Sequence, residues 1–192
     1  VSKVLGLLMR RNVAFAMLGV MLTFAGAFTI FTYLRPFLET FTRVSVPQLS
    51  LLLLGLGLAG FAGTYGASAL IGRHLYSLMR WLPMALGAVT LAMLGAGHVF
   101  WAVGLLMIAW GAVNSAIPVC WSTWLSKGIA DEPDSGGGLM VAAIQLAIML
   151  GGAFGGLLLD RMSITATMIG GIALLILASA SVGNGSRIMA RA

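Results

Sequence analysis

Charge is the scarcest commodity in this sequence. Only 8% of the 192 residues are charged, 11 Lys+Arg and 5 Asp+Glu, where a soluble domain carries about 25%. A water-facing helix or strand needs a polar face, and this chain has too few charges to supply one, so an ordinary soluble domain is excluded. The single cysteine, Cys120, excludes a disulfide framework and a thiolate metal cluster. The cations stand singly or in pairs between apolar runs, which excludes the clustered basic face of a nucleic-acid binder. No His/Cys/Asp/Glu group has ligand spacing, there is no Walker loop, and Gly55-Leu56-Gly57 lacks the third glycine of a dinucleotide fingerprint. Neither a metal nor a cofactor is expected.

What is present is hydrophobic length. The chain is 60% hydrophobic, and a membrane-crossing helix needs about 20 mostly apolar residues because its backbone must be paired within the segment. Six stretches qualify: residues 12–34, 47–72, 81–97, 99–125, 138–159 and 164–182. The boundary between the third and fourth is set by Gly95, Gly97 and His98. Runs such as Leu51-Leu52-Leu53-Leu54 do not alternate, which excludes the strands of a transmembrane barrel. The expected fold is an all-α membrane protein, a bundle of six transmembrane helices over residues 12–183. Residues 1–11 read as the end of a cytoplasmic linker and 184–192 as a cytoplasmic tail. Cations near span ends are retained in the cytoplasm. With both termini inside, Lys3, Arg10, Arg11, Arg73, Arg80, Lys127, Arg187 and Arg191 are cytoplasmic, against Arg35, Arg43 and Arg161 outside.

Glycine lies inside the spans and is not confined to turns. Helices in lipid associate through close packing of small residues. Gly151, Gly152, Gly155 and Gly156 form two overlapping G-x-x-x-G pairs on the fifth span, and Ala59, Gly63 and Ala67 form a small stripe on the second. Such stripes serve static packing, or sliding of helices during a conformational cycle. Polar and aromatic residues within the spans point to a cavity. Trp110, Asn114, Pro118 and Trp121 fall on one side of the fourth span, Gln145, Met149 and Gly152 share a face of the fifth, and Phe24, Phe28 and Phe31 line the first, with Thr29, Thr32 and Tyr33 toward its outer end. Amide, hydroxyl and aromatic groups suit a neutral, flat, partly polar ligand, although Asn114 and Gln145 could equally make an interhelical hydrogen bond. The candidate cavity residues are Phe24, Phe28, Thr32, Trp110, Asn114, Gln145 and Met149. Trp81, Trp121 and Trp124 read as interface anchors at the inner ends, with Trp101 as the outer counterpart.

The acids avoid the span centres: Glu39, Asp131, Glu132, Asp134 and Asp160 lie in loops or at span ends. Proton-coupled carriers hold a titratable group in the membrane; the only candidates here are His98 and Asp160, both at the outer boundary, so the main coupling carboxylate is expected elsewhere than in this chain. An enzyme is not expected. Gly66-Ala67-Ser68-Ala69 resembles the nucleophile motif of rhomboid-type intramembrane proteases, but Ser68 and His98 fall at opposite ends of their spans, about 30 Å apart, and a nucleophile and its base must meet at about 3 Å.

Together the six spans, the Gly72-Arg73 pair followed by Arg80 in the inner loop, and the glycine-rich fifth span resemble the C-terminal half of a major facilitator superfamily transporter. Thr32-Tyr33-Leu34-Arg35-Pro36-Phe37-Leu38-Glu39 is similar to the twelve-helix bacterial drug:proton antiporters. Trp121-Ser122-Thr123-Trp124 and Gly137-Gly138-Leu139-Met140-Val141-Ala142-Ala143-Ile144-Gln145-Leu146 resemble the purine ribonucleoside efflux pump branch. The resemblance implies one half of a two-domain fold, built from two inverted three-helix repeats, with Gly72, Arg73 and Arg80 as gating candidates in the inner loop. That loop departs from the family pattern, with Ala69, Leu70 and Ile71 where an acidic residue is usual.

The expected function is half of a proton-coupled efflux transporter of the bacterial inner membrane, exporting purine nucleosides, drugs or sugars by alternating access. Its partners are the lipid bilayer, the substrate, protons and a missing N-terminal six-helix half; the start at Val1 and the basic lead-in suit the distal part of a longer protein. The competing reading is a complete six-helix protein acting as an oligomeric channel or a non-transporting adaptor.

Overall fold

The apolar runs become helices because only a helix satisfies each backbone N–H and C=O within its own segment. The computed structural model describes residues 1–190, and Arg191 lies outside them. In chain order the helices are α1 (Ser2–Leu8), α2 (Arg11–Thr32), α3 (Leu34–Phe37), a π-helical turn (Leu38–Thr42), α4 (Val46–Gly95), α5 (Phe100–Gly128), α6 (Pro133–Arg161) and α7 (Ile164–Val182). No strand occurs among the described residues. Five helices, α2, α4, α5, α6 and α7, are long and apolar enough to cross a membrane.

The helix ends follow from local chemistry. Ser45 and Gln48 form a capping box at the start of α4, with Pro47 in its first turn. Ser163 caps α7 by accepting from the Ala166 N–H. Arg43 closes the π-helical turn in a left-handed conformation, at φ 54°. Within the spans, hydroxyls are satisfied by the preceding turn: Thr23, Thr90 and Thr123 donate to the carbonyls of Gly19, Leu86 and Val119.

One boundary differs from the sequence expectation. Residues 73–80 were expected to form an inner loop, yet α4 runs through them over 50 residues and leaves helical geometry only at His74 (φ −128°, ψ 26°). A straight helix of that length would measure about 75 Å, far more than about 30 Å of hydrocarbon, so His74 is where the chain turns. No glycine or proline between Arg73 and Leu82 stops helix formation on either side of it, and the arms are residues 46–73 and 75–95.

The core is shared by α2, α4, α5, α6 and α7. α2 packs on α6 and α7, whereas α4 packs on α5 and α7. Several of these contacts are backbone to backbone. A Cβ on Gly63 would collide with the Ala112 carbonyl, one on Gly111 with the Leu56 carbonyl, and one on Gly151 would lie 2.5 Å from the Ala25 oxygen. Gly26 and Gly171 bring α2 and α7 together in the same way, each hypothetical Cβ lying 3.0–3.1 Å from the other's carbonyl oxygen. In the small stripe of the second span Ala67 is buried and Ala59 half-buried, and the additional small residue Gly60 abuts Ser115 Oγ.

One expectation about the tryptophans is corrected. Trp121 and Trp124 are not interface anchors: both are buried, at 2% and 0% exposure, and pack edge to face at 5.9 Å. The chain after α7 folds back on the bundle. It turns at Gly185 (φ 87°) against Tyr76, buries Ile188, and accepts at the Ile188 carbonyl a 2.8 Å hydrogen bond from Trp124 Nε1. This return of the chain covers the indoles, which position along a span could not reveal. Trp81 and Trp101 remain exposed.

Candidate functional site

Aromatic groups gather at the seam where the end of α2 meets α5. Phe31 stacks on Trp110 at 5.8 Å and 17°, and Phe28 meets Phe31 edge to face at 5.9 Å. Trp110 is fully buried, and its indole N–H donates to Thr90 Oγ1 on α4 at 3.1 Å. That bond fixes the ring plane on which Phe31 rests. Asn114 stands four residues on from Trp110 and is half-buried.

The other cavity candidates have different surroundings. Phe24 is buried in the core beneath the seam, and Thr32 is exposed at the end of α2. Gln145 and Met149 lie on an exposed face of α6, Met149 at 61% exposure. The structure brings together Phe28, Phe31 and Trp110 by direct ring contact, and no such contact joins Gln145 or Met149 to them among the described residues. On α5 the four residues assigned to one face divide: Trp110 and Trp121 are buried, Asn114 is half-buried and Pro118 is exposed.

Between the first arm of α4 and Ser115 of α5 the structure opens a groove. It has a volume of about 530 Å³ and is lined by Gly57, Gly60, Phe61, Thr64, Tyr65, Ser68 and Ser115, within the size range of small-molecule sites. Phe61 and Tyr65 project from it, at 77% and 80% exposure. The signal was present as a hydroxyl and aromatic stripe, Phe61, Thr64, Tyr65 and Ser68, at helical spacing. Ser68, the residue of the rhomboid-like match, is exposed and donates to the Thr64 carbonyl at 2.9 Å. His98 stacks on Phe41 at 5.5 Å and its Nδ1 lies 3.0 Å from the Phe41 oxygen, so neither residue serves the other.

The fifth-span glycines serve α2. Gly155 and Gly156 abut the Tyr33 ring and hydroxyl. Tyr33 donates to the Gly152 carbonyl at 2.7 Å, and Thr29 to the Gly151 carbonyl at 3.0 Å. Of the gating candidates, Gly72 and Arg73 are exposed at the His74 break, and the Arg80 guanidinium lies 5.0 Å from the Trp81 ring centroid.

Cations collect at the two ends of the bundle. Arg10, Arg11, Lys127 and Arg187 share one end, where Arg10 makes a bidentate pair with Asp131 at 2.7 and 2.9 Å. The paired carboxylate raises the Arg10 pKa, and the same hydrogen bonds hold Asp131 below the ordinary carboxylate range. At the other end Arg35 pairs with Glu39 at 2.8 Å, and that carboxylate likewise raises the Arg35 pKa.

This neutral, aromatic seam can be set beside known proteins. No family model matches the chain. It is 37% identical over 165 residues to a protein named purine ribonucleoside efflux pump NepI from Escherichia coli O157:H7, covering 85% of this chain and 41% of that protein. The chain is a homologue of named efflux pumps. A NepI from Shigella sonnei (strain Ss046) is 36% identical over the same length. A protein named transcription regulatory protein OpdE, from Pseudomonas aeruginosa, is 40% identical over 181 residues, 93% of this chain and 44% of its own length. The chain thus spans less than half the length of the relatives it matches. The homology and the apolar helices agree on a membrane protein.

Proposed function

We propose that this chain is one six-helix half of a major facilitator superfamily efflux transporter, exporting purine nucleosides or similar flat, neutral solutes from the bacterial cytoplasm by proton-driven alternating access. The observation that carries the reading is the symmetry of the packing. Taking α2 and the two arms of α4 as one triplet, and α5, α6 and α7 as the other, exchange of the triplets maps α2 on α6 to the first arm of α4 on α5. It also maps α2 on α7 to the second arm on α5, and α4 on α7 to itself. The same contact recurs in detail: Gly151 faces the Ala25 carbonyl as Gly63 faces the Ala112 carbonyl. That pattern supports inverted three-helix repeats, the architecture in which substrate binds near the bilayer midplane.

In this reading the first helix of each triplet, α2 and α5, faces substrate. Phe31 and Trp110 supply stacking area and Asn114 supplies a donor and an acceptor. The exposed face of α6 with Gln145 and Met149, and the Phe61–Tyr65 side of the groove, turn toward the missing half. The cluster of Arg10, Arg11, Lys127 and Arg187 marks the cytoplasmic end, with both termini inside. The acids stay at helix ends, so the coupling carboxylate belongs to the other half.

The test is nucleoside efflux in inverted vesicles. The full transporter with Asn114→Leu is expected to lose most inosine export at unchanged protein level, as is the variant Gln145→Leu, while this chain alone exports nothing. Unchanged export by both variants removes these residues from the cavity, and robust export by the chain alone refutes the half-transporter reading. A second reading, a non-transporting membrane regulator or adaptor, is favoured by the name of the 40% identical relative. Under that reading deletion of the gene leaves nucleoside efflux intact and changes transcription instead.

A further inference from the structure

The transport reading leaves unused a second polar site, at the end of the bundle that carries the start of α2 and the ends of α5 and α7. Three separate stretches of chain bring Arg10, Arg11, Lys127 and Arg187 to two adjoining cavities of about 520 and 180 Å³, which share Arg11 and Asn12 as lining. Asp131 is the one carboxylate in those linings, and it is engaged by Arg10. The Arg11 and Arg187 guanidinium carbons both lie 5.7 Å from the Phe15 ring centroid. Two guanidinium groups held at one ring repel each other unless an anion joins them. Among the described residues, no carboxylate comes within ion-pair distance of either.

The site is also built ahead of any ligand. Arg187 is placed by its neighbour Ile188, which is buried and held through its carbonyl by Trp124 Nε1 at 2.8 Å. Asn12 Nδ2 donates to the Gly128 carbonyl at 3.4 Å, tying the start of α2 to the end of α5. Ser186 lines the smaller cavity with Arg11, Asn12 and Arg187, adding hydroxyl and amide groups to the guanidinium forks. The first free N–H groups of α2 open at the same place and favour a negative charge. Planar guanidinium forks with hydroxyl and amide donors match the oxygens of a phosphate.

We propose that this cluster binds a phosphate group, carried by an anionic phospholipid headgroup or by a soluble phosphate ester. The half-buried Phe15 ring and the exposed Leu18 below it give the apolar floor that a lipid's first methylenes require, and the open cavities equally admit a free phosphate.

Native mass spectrometry of the full chain in detergent tests the proposal, comparing phosphatidylglycerol with phosphatidylcholine, alongside thermal melting with millimolar inorganic phosphate. The wild type is expected to retain phosphatidylglycerol over phosphatidylcholine, and each of Arg11→Gln and Arg187→Gln to lower that retention about fivefold. Lys3→Gln, on exposed α1, leaves it unchanged. If both lipids are retained alike but inorganic phosphate raises the melting temperature of the wild type and not of the Gln pair, the source is the soluble phosphate and the site stands. Lys at both positions keeps the charge and most of the binding, which separates loss of the site from loss of the fold. A Gln pair that melts with the wild type and yet keeps both responses overturns the proposal, as does a Lys pair no better than the Gln pair.

Discussion

Replacing Gly63 by alanine tests the packing directly, because the site offers no room for even one methyl group. A Cβ there collides with the Ala112 carbonyl, a backbone atom that no rotamer change can move. Restoring a normal contact of about 3.5 Å requires α4 and α5 to separate by about 1.5 Å, and a gap of 0.5–1 Å already forfeits a quarter to a half of each dispersion contact nearby. In lipid no hydrophobic gain offsets that loss. Alanine's better helix propensity returns about 1 kcal/mol, so the expected net destabilisation is about 2 kcal/mol, within the usual range for overpacking. Gly57 is the internal control: it lies on the same arm of α4 with nothing within 4 Å of its hypothetical Cβ, and Gly57→Ala should gain about 1 kcal/mol. Titration of the micelle-bound chain with sodium dodecyl sulfate, followed by circular dichroism, should separate the two variants by about 3 kcal/mol. Equal midpoints for both would refute backbone contact at this crossing. Gly111→Ala, facing the Leu56 carbonyl, should behave as Gly63→Ala does.

Thr90→Val removes the acceptor of the buried Trp110 indole and should cost about 1–3 kcal/mol, with a shift in tryptophan fluorescence; Thr90→Ser should restore both. Tyr33→Phe deletes one donor to the Gly152 carbonyl, and a loss of about 0.6 kcal/mol is expected from interhelical bonds in membranes. The Arg10–Asp131 pair contributes only where Asp131 is ionised. Its folded pKa is lowered, so the contribution is complete above the unfolded value of about 3.9 and disappears as pH falls through the lowered folded value. Asp131→Asn should therefore lower the thermal midpoint at pH 7 and narrow its difference from the wild type on acidification below pH 4.

Helical class and membrane solvent were legible because they depend on composition, where 16 charges in 192 residues leave no alternative. The gap between α4 and α5 was legible for a local reason, since Gly95 and Gly97 weaken helix just ahead of His98. A turn between residues 73 and 80 was legible and falls at His74, but the helix on either side of it was not, because charged residues such as Arg73 and Arg80 do not by themselves end a helix. Trp121 and Trp124 were misplaced because the residues that cover them arrive from the tail, over 60 positions away in sequence. At the candidate site, Trp110 and Phe31 could be chosen by type and spacing, while their stacking and the partnership with Thr90 needed the third dimension. The groove of Phe61, Thr64, Tyr65 and Ser68 had a sequence signal, a polar stripe on an apolar helix, that motif matching at Ser68 obscured.

The single-residue elbow at His74 makes α4 a crank. Its arms are about 42 and 31 Å long by helical rise, one seated on α5 through Gly63, the other tied to α5 through Thr90 and to α7 through the hydrogen bond from Ser179 to the Arg80 carbonyl. A flexible connection would let each arm tilt by itself and absorb the difference as slack. With a single non-helical residue between the arms there is no such slack, and a displacement of one arm has to be absorbed at His74 or passed to the other.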